Sequence, residues 1–197
     1  MRGQEVVRAG MATLAMLVIA YTDLILARYA LPAAMAGAYS VGAVLTKGAL
    51  WAPAVVTVLA LPHFAQGRRH ALRIALGCVA AIGGALVAAA ALFGNLAMRL
   101  AGGPSYQYLG PYAAGFAAVG ALYALVFVFV NAEIAAGSRW PAAPVWVALC
   151  GIVGAVALLP VHDIGNLLAI SAATATATLG AMAILYSARR RTALRRA

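Results

Sequence analysis

Acidic side chains are nearly missing. Glu5, Asp23, Glu133 and Asp163 are the whole complement of 197 residues, and charged residues together make up 9% of the chain. Soluble domains carry about a quarter of their residues as charges, so this shortage excludes a water-soluble globule. The four carboxyl groups, of which only Asp23 and Glu133 fall near membrane depth, leave little for general acid and base chemistry. No enzyme is expected.

Cysteine is equally scarce. Cys78 and Cys150 each sit inside an apolar run, which gives neither a disulfide framework nor a metal-ligand spacing. His63, His70 and His162 are scattered near predicted helix ends with no HxxxH or HExxH arrangement, so no metal is expected. There is no GxxxxGKS/T phosphate loop, no dinucleotide-binding glycine fingerprint and no GxSxG elbow. An ATP-driven pump within this chain is excluded on the same ground. Lysine occurs once, as Lys47, against thirteen arginines.

What is present is apolar. A hydrophobic share of 65% and a mean hydropathy of +0.97 describe an integral membrane protein. The net charge of +10 does not point to nucleic acid, because the basic residues sit at segment ends beside apolar runs rather than among aromatics on a soluble face. Six segments are long enough, or nearly so, to cross a hydrocarbon core about 30 Å thick: 9–31, 39–64, 74–93, 112–130, 145–159 and 167–186. A cleaved signal peptide is the rival reading of the first, opposed by Asp23 and Arg28 and by the lack of a small-residue cleavage site. The fifth is the shortest and spans only where the bilayer thins or flanking residues contribute. Gly77, Gly83 and Gly84 mark the third as a packing helix. Residues 94–111 are too polar and glycine-rich to span, and form the longest outer connection.

Orientation follows from arginine. With the N-terminus inside, eleven arginines (2, 8, 68, 69, 73, 139, 189, 190, 191, 195 and 196) fall on inner segments and two, Arg28 and Arg99, on outer ones. The expected fold is therefore all-α: one polytopic domain over 1–197 with six transmembrane helices in the cytoplasmic (inner) membrane and both termini cytoplasmic. Tyr29, Tyr39, Tyr106, Tyr108 and Tyr112 are expected at the outer membrane surface, Trp140, Trp146 and Tyr186 at the inner one.

The residues that carry chemistry lie in the first two segments. Asp23 stands about eight residues before an expected turn at 31–37 and Lys47 about ten after it, a similar depth of roughly 12–15 Å at 1.5 Å per residue. A charge at that depth costs a few kcal/mol unless it pairs or lines a wet cavity. The two form either a structural ion pair locking the hairpin or the lining of a path for a polar substrate or coupling ion. Pro53, near mid-span, is expected to kink the second helix, as in the broken helices of transporters. Asn131 and Glu133 fall at the inner end of the fourth segment, as a solvated helix terminus or as part of that path. Thr174 and Thr178 share a helix face and bond to their own helix or to a neighbour.

The run DLILARYALP from Asp23 to Pro32, GAYS from Gly37 to Ser40, Lys47, and the spaced Pro53 and Pro62 resemble the polysaccharide transporter branch of the multidrug/oligosaccharidyl-lipid/polysaccharide exporter superfamily. RLAGGPSY from Arg99 to Tyr106 and NAEIAAGSR from Asn131 to Arg139 resemble that family's outer loop and the inner end of the helix after it. Family members have two six-helix lobes, and this chain resembles the second of them alone. The resemblance implies a flippase that moves lipid-linked sugars across the membrane by alternating access, powered by an ion gradient or membrane potential. Its partners are then membrane lipid, a lipid-linked sugar substrate and a second six-helix lobe, supplied by a homodimer or a separate chain unless the chain is a fragment. Lys47, with Arg28, attracts a pyrophosphate-linked sugar, and Asp23 neutralises Lys47 or binds a coupling cation; no other cofactor is expected. The alternative is a noncatalytic membrane subunit scaffolding a polysaccharide or envelope synthesis complex. Export of small cationic drugs and a membrane-embedded sugar transferase rank below both.

Overall fold

A computed structural model of the protein describes residues 3–65, 69–138 and 140–194. Arg2, Arg68, Arg139, Arg195 and Arg196, which carry part of the basic asymmetry, lie outside the described residues. Eight α-helices and one 3-10 stretch are found among those described, and no strand. The helices are α1 (Gly3–Ala30), α2 (Ala33–Trp51), α3 (Ala54–Ala65), α4 (Arg69–Leu92), α5 (Gly94–Gly102), α6 (Ala113–Ala135), α7 (Ala143–Leu158) and α8 (Ile164–Leu194); the 3-10 stretch is Pro104–Tyr112.

Proline and glycine set the breaks. Pro32 has no N–H to offer and turns the residue before it away from helical geometry, so α1 ends at Ala30 and Pro32 caps α2 in extended conformation. The turn is therefore Leu31–Pro32 rather than the expected 31–37, and α2 begins at Ala33 rather than 39: residues 33–38 contain no breaker stronger than one glycine. Pro53 interrupts the second span as its sequence position implies, separating α2 from α3. Gly137, at φ +67°, ends α6; Ser138 N–H donates to Glu133 O and Gly137 N–H to Ile134 O, both at 3.0 Å, the pattern of a left-handed glycine stop. Residues 94–112, the expected outer connection, fold as the short α5 and the 3-10 stretch. The helices overrun the apolar segments, most of all α8, because the polar sequence after Tyr186 lacks a breaker and hydropathy marks only the membrane-embedded part of a helix.

Five helical stretches are long and apolar enough to cross a membrane: Val7–Ala30, Ala33–Ala60 through the Pro53 break, His70–Leu92, Pro104–Ala135 and Ile164–Ala188. The protein is thus built for a membrane. α7, the expected fifth span, has 16 residues, roughly 24 Å at helical rise, and is not among them.

α6 is the axis of the bundle. Its GFAAVGALYALVFVFV run is apolar on every face, as a helix surrounded by others must be, and Phe116, Val119, Val126, Val128 and Val130 are all buried. α2, α4 and α8 pack around it, α3 sits between α4 and α6, and α1 lies against α2 and α7. The α2–α6 crossing is close. A side chain at Gly42 would strike the Phe116 ring, one at Gly120 would strike Thr46 O, and Thr46 Oγ1 donates across the crossing to Phe116 O at 3.0 Å. On α4, Gly83 meets Ala121 of α6 as a packing glycine, whereas Gly77 and Gly84 face open space.

Candidate functional site

Asp23 of α1 and Lys47 of α2 meet. Lys47 Nζ lies 3.4 Å from Asp23 Oδ1 and also donates to the Ala20 carbonyl of α1. The short turn changes why they meet. Lys47 lies about 21 Å along α2 from the hairpin end and Asp23 only about 10 Å along α1, so their backbones are not level as the sequence spacing implied. Helical side chains lean toward the N-terminus of their own helix. In an antiparallel hairpin Lys47 therefore leans toward the turn and Asp23 away from it, and the two side chains close the gap.

The carboxylate is deep. Asp23 has 7% of its side chain exposed against 18% for Lys47. Leu24 N–H donates to Asp23 Oδ1 at 2.9 Å, and the Tyr39 hydroxyl of α2 donates to Oδ2 at 3.5 Å. Both the ion pair and the tyrosine contact are long beside the 2.7–2.9 Å usual for charge-assisted bonds. Tyr39 is fully buried and stands edge-on to Phe116, with ring centroids 5.1 Å apart, which corrects its expected place at the outer membrane surface. Tyr123 of α6 lies within electrostatic range of Asp23 and Tyr39, and Ser171 of α8 lies beside Tyr39. The Tyr123 and Ser171 hydroxyls are both buried; that of Ser171 is within reach of the Tyr39 hydroxyl, and that of Tyr123 has no hydrogen-bond partner among the described residues.

On its other side the pair opens to the bundle surface between α1 and α2. The Lys47 ammonium sits 4.8 Å from the Tyr21 ring centroid, Tyr21 is half exposed, and Val44, about one turn before Lys47, is exposed. A lysine stem on an aromatic face at this edge keeps its charge available to a neighbour outside the bundle.

The remaining candidates lie elsewhere. Arg28 is exposed in the last turn of α1, five residues beyond Asp23 toward the hairpin end. Pro53 is buried at the α2–α3 break, six residues past Lys47. Asn131 turns back on its own helix, Nδ2 donating to Phe127 O at 2.8 Å. Glu133 is buried, with 9% exposed, which rules out the solvated helix end as its setting. It lies ten residues from Tyr123 along α6, about 15 Å from the Asp23 cluster. Thr174 and Thr178 both bond to their own helix, to Ile170 O at 2.9 Å and Thr174 O at 2.7 Å. Among the described residues no three metal-ligating side chains come together.

Sequence reasoning missed Thr46, Tyr123 and Ser171. Each is a hydroxyl inside an apolar run, and hydropathy does not register an uncharged group of that size. No family model, curated protein or solved structure matches the chain.

Proposed function

We propose that the chain is one six-helix lobe of a flippase that carries lipid-linked oligosaccharide or polysaccharide precursors across the cytoplasmic membrane. In this reading α7 is the sixth span, completed by local thinning of the bilayer, and both termini face the cytoplasm as the arginine distribution favours. The observation that carries it is the Asp23–Lys47 pair: deep between α1 and α2, long at 3.4 Å, and open through Lys47 on one face. A lysine facing lipid at that depth is costly, so water or a second lobe covers the α1–α2 face. There Lys47 attracts the pyrophosphate of the substrate, and Asp23 neutralises it when the path is empty or holds a coupling cation. Arg28, nearer the hairpin end of the same helix, stands at the mouth of that path.

The test is reconstitution. In liposomes, with the second lobe supplied by a second copy or its partner chain, Lys47→Ala is expected to lower flipping of a pyrophosphate-linked sugar at least tenfold. Undiminished flipping by Lys47→Ala removes the assignment. A second reading, a noncatalytic scaffold of a polysaccharide synthesis complex, draws support from one observation: Lys47 is tied to α1 by Asp23, Ala20 O and Tyr21 together, as a lock on the hairpin would be. It predicts co-purification with a synthase and no flipping by the purified protein.

A further inference from the structure

α2 divides the surface beside the ion pair into two sides. Successive residues stand about 100° apart around a helix, so Lys47 and Gly48 look to opposite sides of Val44, an exposed residue about one turn earlier. Lys47 reaches to α1, whereas Gly48 lines an apolar groove of about 340 Å³ between α2, α4 and α5. Leu45 joins Gly48 on the α2 wall, Leu86 and Ala89 form the α4 wall, and Leu96 and Leu100 the α5 wall. Every lining residue is apolar, and the volume is that of a small-molecule site.

Two features keep the groove open. α5 is held to the bundle by its buried Gly94 and Met98, with Gly94 so close to Gly110 O that a side chain would strike it. Leu96 and Leu100, four residues apart on another face of α5, are thereby left exposed along the groove. Gly48 is the second feature. Glycine inside a helix is destabilising relative to alanine, and a side chain at 48 would meet nothing within 4 Å, so no neighbour in the bundle explains it as Phe116 explains Gly42. What its missing side chain does is lower the strip between the groove and the Lys47 edge.

An apolar groove in a membrane takes hydrocarbon, and the cation beside this one selects whose. Bilayer lipids hold their phosphates at the membrane surface, whereas Lys47 lies about 21 Å along α2 from the hairpin end. An amphiphile whose anionic head is drawn to that depth meets both features at once, a charge complementary to its head and an apolar wall for its chain. We propose that the groove between α2, α4 and α5 binds the hydrocarbon chain of a lipid diphosphate whose head is at Lys47, with Gly48 as the notch over which the molecule passes. The proposal rests on the flippase reading and adds to it a place for the lipid half of the substrate. Gly48 and Ala89 border the chain and Lys47 the head, so each half can be disturbed without the other.

The test uses Lys47 as its own reporter, because it is the single lysine of the chain. The full chain in phosphatidylcholine nanodiscs is treated with an amine-reactive reagent while farnesyl diphosphate or inorganic pyrophosphate is titrated in, and mass spectrometry follows modification of the peptide holding Lys47. Both ligands are expected to protect Lys47, farnesyl diphosphate at a concentration roughly tenfold lower or less. Gly48→Leu and Ala89→Leu fill the groove from opposite walls, at exposed positions. Each is expected to raise the farnesyl diphosphate concentration needed roughly tenfold or more, and to leave that of pyrophosphate unchanged. Farnesyl diphosphate protection unchanged in either variant overturns the proposal, since bilayer lipid then fills the groove, and it leaves the Lys47 assignment standing. A shift of both ligands together, as a displaced second lobe would produce, overturns it too, and so does equal protection by farnesol, which lacks the head. If neither diphosphate protects Lys47, or no reagent reaches it, the proposal falls together with the anion assignment on which it rests.

Discussion

Asp23 draws on donors from its own helix and from α2, and the worth of each differs. The Tyr39 hydroxyl reaches Oδ2 across 3.5 Å inside a fully buried setting. Hydrogen bonds to charged groups contribute roughly 1.5–3 kcal/mol at good geometry, and at this length about 1 kcal/mol is expected. Tyr39→Phe keeps the edge-on contact with Phe116 and isolates that term, so unfolding in denaturing detergent should read its loss alone. Thr174→Val is the matching control: its hydroxyl bonds only to Ile170 O of its own helix, and the same measurement is expected to show a change of about 0.6 kcal/mol or less. The pair itself was legible from the sequence because charges are so rare in this chain that two within one hairpin stand out. Its tyrosine and serine neighbours were not, since in an apolar run a hydroxyl group looks the same whether it faces lipid, its own helix or a buried carboxylate.

At the scale of the elements, the α2–α6 crossing holds the hairpin against the centre of the bundle. Between helices in lipid the driving force is close packing and hydrogen bonding rather than transfer of apolar surface out of water. Gly42 beneath Phe116, Gly120 beneath Thr46 O, and the Thr46–Phe116 bond supply both. A methyl at Gly120 meets backbone on one side and Ala49 on the other, and neither can swing aside. Gly120→Ala is therefore expected to destabilise by about 1–3 kcal/mol, whereas Gly84→Ala, facing open space, is expected to be neutral; thermal unfolding of the two purified variants checks this. Breaks at Pro32, Pro53 and Gly137 follow rules of backbone chemistry that a single sequence displays. Which glycine of a small-residue helix touches a neighbour depends on the rotation of that helix in the bundle, so Gly83 at a contact and Gly77 away from one are told apart only by the fold.

For the whole molecule, hydropathy gave a helical membrane bundle directly, and α7 marks where it stops deciding: 16 apolar residues fit either a thin spot in the bilayer or a helix buried among others. The arrangement of α2, α4 and α8 around α6, with the hairpin at one edge, places the lysine on an outer face of the bundle rather than in its centre. That placement is why a second lobe belongs in the proposal. The depth argument from sequence reached the right pair through a turn that is shorter in the structure, and the lean of the two side chains supplies the difference. The central claim is that the α1–α2 face beside Lys47 lines a wet path, with the second lobe standing across it, rather than lying against lipid. Val44, half exposed on that face, tests it most directly once Cys78 and Cys150, both exposed, are replaced by serine. The measurement is the rate at which a charged, membrane-impermeant thiol reagent modifies Val44→Cys in membranes, set against Val153→Cys, a residue of α7 with similar exposure. A wet path predicts rapid modification of Val44→Cys and none of Val153→Cys; a Val44→Cys as inert as its control would contradict it.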